Sequence, residues 1–99
     1  MKCKSFELFF RTFANRTRAK IVEALLEKPL SVSEISKLTG DEQSKISHNL
    51  KILKDCQIIN SQIKGKHRIY SLNKKTMLPL MKLVEKHVAS YCCGVCQRK

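Results

Sequence analysis

Apolar residues recur along this 99-residue chain with a helical period, then a strand period, then a helical one again. Phe6, Phe9, Phe10 and Phe13 share one face of a first helix over about 5–14. Ile21, Val22, Leu25 and Leu26 follow Asn15, a good capping side chain, and predict a second helix over 16–27 that Pro29 stops. Ser31-Val32-Ser33-Glu34 has capping-box spacing and opens a third helix, 32–38, with Ile35 and Leu38 inward and Gly40 closing it. A fourth helix starts at Asp41 or Glu42, and Ile46, Leu50 and Leu53 pin it to the core.

The period then changes. Runs 58–63 and 67–72 alternate as strands around a basic tip, Lys64-Gly65-Lys66. Beyond them Met77, Leu80, Met81, Val84, Val88 and Tyr91 restore helical spacing, with Asn73 as the expected cap and Pro79 in the first turn. Two helices joined by a short Gly turn, followed by a charged hairpin, predict an α+β winged helix-turn-helix of order α-α-α-α-β-β-α. One domain, 1–99, is expected. Its helix-turn-helix covers about 32–55 and its wing about 58–72. The first helix holds four of the six aromatics, too many for one exposed helix, and the last is amphipathic. Both point to a homodimer through helices 5–14 and 77–92.

Charge gives this scaffold a partner. A formal net charge of +12 predicts attraction to a polyanion. Between Gln43 and Lys75 eight Lys and Arg face Asp55 alone, while Glu23, Glu27, Glu34, Asp41 and Glu42 precede them, so the charge has a face. Gln43, Ser44, Lys45, Ser47, His48 and Asn49 lie off the apolar edge of the fourth helix and are the candidate groove contacts for double-stranded DNA. Lys51, Lys64, Lys66 and Arg68 are the candidate phosphate contacts, the wing tip also suiting the minor groove. No apolar run reaches transmembrane length and the first ten residues do not read as a signal peptide, so a cytoplasmic protein without a membrane partner is expected. No nucleophile–base pair, phosphate loop or carboxylate pair suggests an enzyme.

These residues in this order resemble the ArsR/SmtB family of small dimeric winged-helix repressors. Phe10 to Arg18 is similar to the family's "F-K-A-L-A-(D/N)-P-T-R". Val32-Ser33-Glu34-Ile35 fits the following helix. Gln43 to Leu53 resembles "Q-S-x-V-S-x-H-L-x-x-L", and Lys64 to Leu72 resembles the wing. The resemblance covers roughly Phe6 to Leu72 and implies a repressor on a near-palindromic operator. Arg16 stands where the family has Pro, and Asn49 follows His48 where Leu is common. Ser33-Glu34-Ile35-Ser36-Lys37 replaces the thiol-bearing "C-x-C" of the arsenic and cadmium/lead sensors. His87 stands without the paired ligands of the zinc and nickel type, so neither of those sites is expected.

The remaining sharp feature is Cys92-Cys93-Gly94-Val95-Cys96. Three thiolates within five residues suit a thiophilic ion. Arsenite- or antimonite-like species come first, then Zn, Cd or Cu(I), with Cys3 as a further candidate ligand. Cys56 reads as a buried thiol behind the recognition helix. The expected function is therefore a repressor released by such an ion. A thiol redox-sensing repressor and a non-sensing winged-helix module that docks on another protein are the alternatives.

Overall fold

A computed structural model describes residues 5–92. Five helices and a three-stranded sheet follow in the order α1 (Phe6–Phe13), α2 (Arg16–Glu27), β1 (Leu30–Ser31), α3 (Val32–Thr39), α4 (Gln43–Asp55), β2 (Ile59–Lys64), β3 (His67–Leu72) and α5 (Met77–His87). A π-helical turn, Val88–Cys92, extends α5. The winged helix-turn-helix expected from the periodicity is present, with one strand more than predicted.

Local chemistry sets most helix ends. The side chains of Ser5 and Asn15 accept from the Leu8 and Arg18 amides and so start α1 and α2. At α3 the capping box is closed both ways. Ser31 Oγ accepts from the Glu34 amide at 3.3 Å, and the Glu34 carboxylate accepts from the Ser31 amide at 2.9 Å. The Ser31 amide, with smaller help from Lys28 and His67, holds the Glu34 carboxyl below the usual carboxylate range. Gly40, at φ +80°, ends α3 in the left-handed conformation. Across this turn Ser36 Oγ donates to the Asp41 carbonyl at 2.6 Å, which fixes the approach of α3 to α4.

The sheet order is β1-β3-β2, all antiparallel. Leu30 pairs with Tyr70 and Ser31 with Ile69, so the link from α2 to α3 is stitched to the wing. In the hairpin Lys64 opposes His67, with Gly65 at φ +63° in a two-residue turn. One core joins these layers. Ile21, Val22 and Leu25 of α2 meet Leu30, Ile35 of α3, Ile46, Leu50 and Leu53 of α4, Ile58, Ile59, Leu72 and Met77.

Four details differ from expectation. Leu38 is 66% exposed, Ile35 being the one buried residue of α3, and the helix runs one residue further, to Thr39. Asn73 does not cap α5; Thr76 holds that position without a side-chain bond. Asn73 instead accepts from the Lys75 amide and donates to the Gln57 carbonyl, each at 3.0 Å, which docks the start of α5 on the end of α4. Cys56 is half-buried and disulfide-bonded, its partner lying outside the described side chains. Finally, the apolar stripe of α5 is divided. Met77, Leu78 and Met81 join the protomer's own core, whereas Leu83, Val84, Val88 and Tyr91 are exposed. Phe6 and Phe10 of α1 are likewise exposed, while Phe9 and Phe13 pack inward.

Candidate nucleic-acid interface

The interface is built on α4. Ile46, Leu50 and Leu53 are 0–1% exposed and seat the helix on α2 and α3. That leaves Gln43, Ser44, Lys45, Ser47 and His48 exposed along its first two turns. These side chains have the amides, hydroxyls, ammonium and imidazole that hydrogen-bond base edges and phosphates. Lys51, one turn further, is also exposed. On the wing, Lys64, Lys66 and Arg68 are exposed around the β2–β3 turn, joined by His67, which the sequence reading did not single out.

A cleft between α4 and β3 connects the two parts. Ser47, Lys51, Lys54, Asp55, Arg68 and Tyr70 line it above Leu50. Helix and wing thus present one continuous cationic surface, and Lys54 and Tyr70 join the candidates. Two of the lysines are held by acids of the same helix region. Lys45 Nζ lies 3.4 Å from Asp41, and Lys51 Nζ lies 3.7 Å from Asp55. The exposed Lys51–Asp55 pair contributes only about 0.3–0.5 kcal/mol, so a phosphate can take Lys51 at small cost, whereas the Asp41 side chain beside Lys45 is only 19% exposed.

Asn49 does not belong to this surface. It is 6% exposed, and its amide is committed inside the protein. Its Oδ1 accepts from Arg18 Nη1 at 2.9 Å, and its Nδ2 donates to the Lys45 carbonyl at 2.9 Å. The physical reason is spacing. Residue 49 lies three beyond Ile46 and four before Leu53, on the inward edge of the helix. Matched letter by letter, the His of "Q-S-x-V-S-x-H-L-x-x-L" also falls on Asn49, not on His48. Arg18 was missed altogether; its partner stands 31 residues away, and no local pattern joins them.

The cysteine cluster yields no geometry. Cys3, Cys93 and Cys96 lie outside the described residues, as does the side chain of Cys92. Among the described residues no three His, Cys, Asp or Glu side chains come together to hold a metal ion. The third-helix positions carry Ser33 and Ser36, and His87 packs its ring 5.1 Å from Tyr91. Among the described residues no helix is long and apolar enough to cross a membrane.

Known proteins share both the fold and the sequence pattern. Residues 15–61 match the family described as bacterial regulatory protein, arsR family. Over 82 residues the chain is 32% identical to the HTH-type transcriptional regulator Rv0081 of Mycobacterium tuberculosis, covering 82% of this chain and 72% of that one. The crystal structure of Rv0081 superposes with a TM-score of 0.76 at 28% identity, over 87% of each chain. The transcriptional repressor SdpR of Bacillus subtilis is 33% identical over 64 residues, 65% of this chain and 71% of its own. The arsenical resistance operon repressor of the same species is 29% identical over 79 residues, 79% of this chain and 75% of its own. The winged helix, its exposed reading helix and these relatives together place the chain in the ArsR family of DNA-binding transcriptional regulators, which are not enzymes.

Proposed function

We propose that the protein is a homodimeric repressor that reads a near-palindromic DNA operator through α4 and the wing. One observation carries this reading. The polar, cationic edge of α4 is exposed and continuous with the cationic wing, while the apolar edge of the same helix is buried. In a two-fold dimer, two such helices enter successive major grooves about 34 Å apart. Gln43, Ser44, Lys45, Ser47 and His48 contact the groove, and Lys51, Lys64, Lys66 and Arg68 contact phosphate. Repression is supported by the relatives SdpR and the arsenical operon repressor.

Release by a thiophilic ion is the proposed signal. Cys92, Cys93 and Cys96 supply three thiolates at the end of the last helix, a donor set that fits arsenite- or antimonite-like species. The ion supplies strong bonds to sulfur. The protein supplies the coupling, since the thiols follow directly on the exposed apolar residues Val84, Val88 and Tyr91. An ion that prefers one dimer spacing shifts the population toward it and away from the operator.

A second reading has its own observation, the disulfide at Cys56. Peroxide would oxidise two thiols to one S–S bond, the two thiol protons leaving in two molecules of water. The Cys56 Sγ lies 3.8 Å from Thr12 Oγ1, where the end of α4 meets α1. Operator DNA selected from a random pool, titrated with the reduced protein, separates the readings. Arsenite, antimonite, zinc, cadmium and copper(I) are added in separate arms, and hydrogen peroxide in another. Release by arsenite that disappears on replacing Cys92, Cys93 and Cys96 by Ser is the expected result. Release by peroxide alone, abolished by Cys56→Ser, would establish the redox reading. Salt-sensitive binding with no preferred sequence would remove the repressor reading in favour of a protein-docking module.

A further inference from the structure

The Arg18–Asn49 contact remains without a role in DNA contact, and its placement gives it one. Arg18 lies in the first turn of α2. Its Nε donates to the Thr12 carbonyl in the last turn of α1 at 2.7 Å, and its Nη1 donates to Asn49 Oδ1 at 2.9 Å. Asn49 then donates to the carbonyl of Lys45, a residue of the exposed reading turns. One half-buried guanidinium therefore ties together the end of α1, the start of α2 and the middle of α4.

We propose that Arg18 and Asn49 are a positioning pair that fixes the rotation of α4, and that sequence discrimination depends on them. The inference rests on the DNA-reading function proposed above. The apolar seat of α4, made by Ile46, Leu50 and Leu53, is strong but non-directional, and alone it permits the helix to roll. Hydrogen bonds from a planar guanidinium are directional. A roll of about 20° moves groups at about 5 Å from a helix axis by roughly 1.7 Å. Hydrogen bonds to base edges tolerate only about 0.5 Å of variation in length, so such a roll abolishes them. Phosphate attraction from long flexible lysines survives it. Loss of the pair should thus weaken discrimination between sequences and spare non-specific affinity. The pair also joins α4 to α1, a helix that exposes Phe6 and Phe10, and so lies between the proposed dimer interface and the reading surface.

The test uses the full chain and two duplexes of equal length, one selected from a random pool and one scrambled. Arg18→Lys, Asn49→Ala and the double variant are compared with the unsubstituted protein by fluorescence anisotropy, and each variant's base preferences are read by repeating the selection. The expected result is a fall of about tenfold in the ratio of selected to scrambled affinity for each single variant. The double variant falls by no more than either single, because both remove the same device. Scrambled affinity and the order of base preferences stay as they were. Additive losses in the double variant would overturn the proposal. A changed preference at one base position in Asn49→Ala but not in Arg18→Lys would overturn it in favour of direct base contact. A lowered melting temperature with an unchanged ratio would reduce the pair to a structural bond and overturn it as well. Should Asn49→Ala fail to fold, Arg18→Lys, which keeps the charge and the stem, carries the same expectation for the ratio alone. If the unsubstituted protein prefers no sequence, the DNA-reading function itself falls, a result visible before any variant is made.

Discussion

Gln57 holds φ at +65°, a conformation that side chains with a Cβ adopt at a cost. The reason lies in its neighbours. The Gln57 amide donates to the Lys54 carbonyl and the Ile58 amide to the Leu53 carbonyl, each at 3.0 Å. This is the paired pattern of a Schellman ending, with the buried Ile58 and Leu53 as its apolar contact. The turn is thus set by the burial of Ile58, and residue 57 must accept it. Gln57→Gly should therefore stabilise the protein, by about 0.5–1 kcal/mol after the added chain entropy of glycine is set against the relieved strain. A urea titration reads this as a raised midpoint with unchanged slope. A lowered midpoint would show that the glutamine side chain contributes more than its backbone costs. The exposed side chain of Gln57 makes this residue suited to the substitution, as little packing is lost.

At the scale of elements, what was legible is what is local. Asn15 and the Ser31–Glu34 box sit three residues from the amides they cap, so sequence alone places the starts of α2 and α3. The wing was legible from alternation around Gly65, but β1 was not. Two residues carry no period, and Leu30–Ser31 becomes a strand only because β3 lies beside it. Asn49 shows a different failure. Its spacing from Ile46 and Leu53 assigns it to the buried edge, while its polar side chain suggests the exposed one. Only the distant Arg18 decides the matter, by satisfying a buried amide. The wing carries its own prediction. Lys66 is exposed in the turn, none of the ion pairs among the described residues includes it, and its proposed work is purely electrostatic. Lys66→Ala should weaken selected and scrambled DNA alike and reduce the slope of log K against log salt by about 0.9 per protomer. A salt titration with an unchanged slope would remove Lys66 from the phosphate contacts.

At the scale of the whole molecule, the proposed homodimer accounts for the apolar residues that the protomer leaves in water. Phe6 is 86% exposed, Phe10 64%, Leu83 64% and Tyr91 76%. A protomer that leaves aromatic and aliphatic residues of both terminal helices in water gains by covering them with a second copy. The same pairing would bring two copies of α4 to one operator. Linking two half-site contacts raises affinity by roughly 100-fold or more without any new contact to DNA. The double substitution Leu83→Glu and Val84→Glu tests this at the α5 face. Neither residue belongs to the protomer's own core, so the fold and its circular dichroism should persist. Sedimentation should show a monomer, and affinity for the full operator should fall by roughly 100-fold, to that of an isolated half-site. Because α4 and the wing are untouched, the salt slope per protomer and the preferred half-site sequence should remain. A dimer that survives both charges would place the interface elsewhere. A monomer that binds the full operator undiminished would mean that the exposed faces of the terminal helices serve some purpose other than doubling the reading surface.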